Sequence, residues 1–82
     1  MPLYVSQVRA ARGLLGWSQT ELADASGLGI STIKRMEGSE RTVRGNADNV
    51  WKLQQTLEDA GIEFIDENGG GPGVRLRNRT PN

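Results

Sequence analysis

The sequence predicts a mainly α fold: a bundle of four short helices followed by a two-stranded β extension on the C-terminal side. Three observations carry this reading. Residues 17–38, WSQTELADASGLGISTIKRMEG, hold two short helical segments with start and stop signals of their own. Segments on either side of them repeat apolar residues at helical spacing. After Gly61 the period changes to the alternation of extended chain.

In the central stretch, Ser18 and Glu21 have the spacing of a capping box, each side chain placed to bond a free backbone N–H of the first turn. Leu22 and Ala23 supply an apolar edge, and Ala23 is small enough to admit a neighbouring helix. Gly27 stands where that helix ends, because glycine enters the left-handed conformation without steric cost. Leu28 and Gly29 make the turn, and a second helix is expected to run to about Glu37, stopped by Gly38. At about 100° per residue, Ile33 and Met36 face inward while Ser31, Lys34 and Arg35 gather on the opposite side, with Ile30 at its margin. A short helix with a small polar and basic outer face fits the major groove of B-DNA. An ordinary amphipathic pair with a solvated charged face has the same pattern.

The first helix is expected from about Ser6 to Leu15 after a short apolar lead-in, with Ser6 as its cap. Val8, Ala11 and Leu15 form its core stripe, Arg9 and Arg12 flank it, and Leu14 falls off it. Asn46 reads as the cap of a fourth helix running to about Ala60, with Asp48 in the first turn and Gly61 as its stop. Val50, Leu53, Gln54 and Leu57 keep the helical period, and Trp51 widens the apolar face as core or as dimer interface. The runs 62–65 and 73–77 alternate as strands, with D-E-N-G-G-G-P-G as the turn between them. That turn lacks the G-K-[ST] of a phosphate loop, and no helix follows, so nucleotide binding is rejected. A lone hairpin is barely stable in water and must pack on the helices or on a partner. Pairing across a two-fold axis would place Trp51, Ile62, Phe64, Val74 and Leu76 at a homodimer interface. The expected division is a body of residues 1–61, a β extension of 62–77 and a frayed tail of 78–82.

At 82 residues and 35% hydrophobic content, the chain is one domain with a thin core, which a dimer interface would supplement. It has no Cys and no His, which removes disulfides, cysteine nucleophiles, histidine bases and the commonest zinc ligands. No carboxylate pair stands in a recognisable catalytic array, so an enzyme is not expected, nor a cofactor or a metal. The N-terminus lacks the apolar core of a signal peptide, and no run is long enough to span a membrane. Net charge is zero, yet six basic and four acidic groups fall in residues 1–47, one and six in 48–68, and three Arg without an acid in 69–82. An acidic segment between two basic ones suggests a positive face for DNA with negative surface turned away from it.

Arg12, Gly16, then W-S-Q-x-E-L-A and G-x-x-x-S-T-I-x-R-x-E resemble the Cro/CI-type (XRE-family) helix-turn-helix over roughly residues 5–60. The resemblance implies a lambda-repressor-like helix-turn-helix bundle that binds double-stranded DNA. There are three departures from the family pattern. Gly29 replaces the usual hydroxyl or amide N-cap, Trp17 the usual Leu, and Gly38 follows Glu37 directly where one more residue is common. By the resemblance, Arg12 pairs with Glu37, tying the first helix to the end of the third. Gln19, opening the second helix where the dipole favours an anion, contacts phosphate, and Thr32 does likewise. Arg41 and Arg44, in the loop S-E-R-T-V-R-G, lie near the DNA backbone. Base reading falls to Ile30, Ser31, Lys34 and Arg35. The expected function is a transcriptional regulator in a bacterial cytoplasm, held on the nucleoid through its DNA. It would repress from a palindromic operator as a homodimer. The alternative is an antitoxin-like protein-binding module that neutralises a partner protein, with or without binding DNA as well.

Overall fold

The computed structural model describes residues 2–77, so the expected tail 78–82 lies outside the described residues. The elements in chain order are α1 (Val5–Leu15), α2 (Gln19–Ser26), α3 (Ile30–Met36), α4 (Ala47–Asp59), β1 (Ile62–Ile65) and β2 (Gly73–Leu76). This is the helical bundle with a C-terminal hairpin that the sequence predicts.

Local chemistry sets most of the boundaries. The Glu21 backbone N–H donates to Ser18 Oγ at 3.0 Å and the Ser18 N–H to Glu21 Oε1 at 2.8 Å, closing the capping box that starts α2. Gly27 ends that helix at φ +77°, and its N–H bonds the carbonyl of Ala23. The Asn49 N–H donates to Asn46 Oδ1 at 2.8 Å to start α4, and Gly61 turns the chain out of it at φ +110°. By contrast, α3 begins at Gly29 with no side-chain cap and ends at Met36, one residue earlier than expected.

At the N-terminus the expectation fails by one residue and one cap. Tyr4, not Ser6, precedes the first turn of α1, and its N–H donates to Gln7 Oε1 at 3.0 Å. The cause lies outside the helix. Leu3 is buried in the core, the Val43 N–H donates to the Leu3 carbonyl at 2.8 Å, and the Val5 N–H donates to the Arg41 carbonyl at 2.9 Å. The lead-in therefore lies as a short extended strip against the loop between α3 and α4, with Tyr4 opposite Thr42. That pairing fixes where the helix can begin.

The core is one cluster. Val8 and Ala11 of α1, Leu22 and Ala23 of α2, Ile33 and Met36 of α3, and Leu53 and Leu57 of α4 meet in it, with Leu3 and Ile62. Ile62 is 0% exposed. The sequence reading put Ile62 at a dimer interface; it fills this chain's own core, because the turn at Gly61 aims β1 back across α4. Trp51 departs in the opposite sense. It is 64% exposed and does not widen the core face of α4, since it stands about 200° around the helix from Leu53.

β1 and β2 pair antiparallel, with Ile62 opposite Leu76, Glu63 opposite Arg75 and Phe64 opposite Val74. Ile62, Phe64, Val74 and Leu76 thus share the face turned to the helices, and Glu63 and Arg75 share the outer one. β1 packs on α4 and β2 on α1. The mouth of the hairpin is pinned by Gln7, itself 1% exposed, whose Nε2 donates to the carbonyls of Gly73 at 3.0 Å and Ile65 at 3.3 Å. At the other end, the Arg77 N–H donates to the Gly61 carbonyl at 2.7 Å.

Candidate nucleic-acid interface

α3 is only seven residues long, too short to hold itself together in water. It stands because one side is buried: Ile33 and Met36 are 0% and 1% exposed. The 3.6-residue repeat that buries them turns Ser31, Lys34 and Arg35 to solvent, with Ile30 beside them at 38% exposure. Thr32 is half-buried at the edge of this face. Among the described residues no ion pair involves Lys34 or Arg35, so both cations are available to a ligand.

Behind this face lies a buried carboxylate. Glu37, 1% exposed, closes α3 and receives Arg12 Nη2 on Oε1 at 2.9 Å and Arg12 Nε on Oε2 at 3.0 Å. The paired N–H groups match the two carboxylate oxygens, the strongest geometry such a pair has. Gln19 Nε2 also donates to Glu37 Oε1 at 3.3 Å, and Arg9 Nη2 donates to the Glu37 carbonyl at 3.1 Å. One carboxylate therefore ties α1, the opening turn of α2 and the end of α3 into a fixed frame. Gln19 stands at the α2 N-terminus, half-buried, with its amide nitrogen turned toward this carboxylate.

The loop after α3 is ordered by its own bonds. The Ser39 hydroxyl donates to the Thr42 carbonyl, and the Arg44 N–H donates to the Met36 carbonyl at 3.3 Å. Arg41 and Arg44 are both exposed. The guanidinium carbon of Arg41 lies 5.4 Å from the centroid of the Tyr4 ring, and the Tyr4 hydroxyl donates to Glu67 Oε1 at 2.9 Å. The Arg41 pKa is raised, first by hydrogen bonding with Tyr4, then by the charges of Tyr4 and Glu67.

The structure thus gathers Ile30, Ser31, Lys34 and Arg35 on one helix face and joins Arg12, Gln19 and Glu37 behind it. It leaves Trp51 exposed on α4, while Phe64 and Val74 are half-buried on the hairpin and Leu76 is 38% exposed. Sequence reading missed Tyr4, Gln7 and Glu67. Gln7 three residues after Tyr4 is half of a capping box, but tyrosine is not a capping side chain, and the hydroxyl at Ser6 drew the reading instead. Glu67 carried none, since its partner is 63 residues away.

Comparison with known proteins agrees with this geometry. Residues 8–45 match the family model described as helix-turn-helix. The matched segment contains α2, α3, most of α1 and the loop that bears Arg41 and Arg44. No curated protein matches the chain. Among the described residues no helix is long and apolar enough to cross a membrane.

Proposed function

Residues 8–45 form a helix-turn-helix domain of the Cro/CI (XRE-family) type, and from that premise we propose that the protein is a sequence-specific DNA-binding transcriptional regulator that works as a homodimeric repressor. The observation that carries the reading is the face of α3. Ser31, Lys34 and Arg35 stand free over a buried Ile33 and Met36, on a helix whose end is locked by Arg12 and Glu37. Arg and Lys donate to guanine acceptors, Ser is tolerant, and Ile30 meets a thymine methyl. Gln19, Thr32, Arg41 and Arg44 contact phosphates and set the register without reading sequence.

In this reading residues 1–61 are the DNA-binding body and 62–77 the pairing element, joined to it through the shared core. Trp51, 64% exposed on α4, supplies the contact with the second copy, with the exposed part of Leu76 beside the hairpin edge; Phe64 and Val74 are taken up by this chain's own core. A two-fold dimer reads a partial palindrome with half-site centres about 34 Å apart. It represses by covering promoter DNA in the cytoplasm, with no catalytic step of its own.

Selection of bound fragments from genomic DNA, at low and moderate salt, tests the proposal. A single enriched motif with two-fold symmetry is the expected result. Lys34→Ala should then change which base is preferred at one position of each half-site, whereas Gln19→Ala should weaken all sites alike. Binding that ignores sequence, or an unchanged preference in Lys34→Ala, would remove the base-reading role.

A further inference from the structure

The C-terminal hairpin lies outside the segment that matches the helix-turn-helix family, yet it touches the loop that follows α3 through one side chain. Tyr4 is fixed by three anchors: its N–H bonds Gln7 Oε1, its backbone lies opposite Thr42, and its hydroxyl donates to Glu67 Oε1 at 2.9 Å. Its ring carries the guanidinium of Arg41 at 5.4 Å, within the range of about 6 Å at which a cation is drawn to an aromatic face. Donation of the hydroxyl to a carboxylate pushes electron density into the ring, and so makes that face more attractive to the cation. At that distance the ring attracts the guanidinium, whose N–H groups are the ones a phosphate takes.

We propose that Tyr4, backed by Glu67 of the hairpin turn, is a positioning residue for Arg41, so that the hairpin sets the strength of a DNA phosphate contact made by the loop after α3. This rests on the DNA-binding reading above. An arginine held at the ring has given up part of its freedom beforehand, so less is lost when phosphate binds. Among the described residues no ion pair joins Glu67 to Arg41, so Glu67 acts on the arginine through the ring it bonds and through its charge at longer range.

The test is binding of the full chain to a labelled mixed-sequence duplex over a series of salt concentrations, with a thermal melt for each variant. Arg41→Ala should weaken binding and reduce the slope of log affinity against log salt by about 0.9, one phosphate contact. Tyr4→Leu, which changes no formal charge, should weaken binding about two- to fivefold, the range of an exposed cation–π contact. In the Arg41→Ala background it should weaken binding no further. Tyr4→Phe keeps the ring and loses the bond to Glu67, so it should fall between wild type and Tyr4→Leu, again only while Arg41 is present. Should Tyr4→Leu fail to fold, coupling between Tyr4→Phe and Arg41→Ala decides the matter. The proposal is overturned if the Tyr4 effect is absent, or if it persists undiminished without Arg41. A wild-type slope in Arg41→Ala also overturns it while leaving DNA binding intact. A wild type that binds no duplex overturns both.

Discussion

At the scale of single residues, the side chain with most to lose is Glu37. A carboxylate 1% exposed survives only while its oxygens are met, here by both arms of Arg12 and by the Gln19 amide. Arg12→Met should therefore destabilise the protein by about 3–5 kcal/mol, since among the described residues only the exposed Arg9, 3.9 Å from Oε1, would then pair with the buried charge. The double variant Arg12→Met, Glu37→Met should recover most of the loss, because no charge is then buried. Urea unfolding of the three proteins measures this, and a double variant as weak as the single one would show that the frame is held by something else. The spacing of Arg12 and Glu37 was legible through the family resemblance. The turn of Gln19 toward that carboxylate was not, because it depends on how many lone pairs two arginine N–H groups leave unmet, a matter of three-dimensional geometry.

At the scale of elements, the hairpin depends on its clamps. The carbonyls of Ile65 and Gly73 both take their donor from Gln7 Nε2. Gln7→Leu should cost about 1–3 kcal/mol, and amide exchange should speed up in β1 and β2 before it does in α2 and α3. On the outer face Arg75 holds the Glu63 carboxyl below its ordinary pKa of 4.5, through a bidentate hydrogen bond first and its charge second. A pKa lowered by folding contributes stability that is present above the unfolded value and lost as pH falls through the folded one. Glu63→Gln should thus lower the melting temperature slightly at neutral pH. The gap should close in acid below about 4.5 and shrink with salt at any pH. A gap that widens on acidification would contradict the assignment. The strands themselves were readable from alternation alone, as were the caps of α2 and α4, because those signals lie within a few residues of each other. The start of α1 was not, because Leu3 and Val5 are held by a loop some 38 residues further on.

At the scale of the molecule, the exposed indole of Trp51 and the buried side chain of Ile62 exchange the places that periodicity gave them. Trp51 is left out because it stands about 200° around α4 from Leu53, and Ile62 is covered because β1 packs back on α4. If the chain pairs as proposed, Trp51→Arg should leave its melting temperature close to wild type and reduce the dimer's mass in light scattering to that of one chain. An unchanged dimer mass would move the interface elsewhere. The place of Ile62 also bears on how the protein folds. Every helix precedes it in the chain, so a fragment ending at residue 61 holds all four helices with part of their common interior unfilled. Such a fragment should stay open to protease, and protection should appear once the chain extends through the hairpin to residue 77.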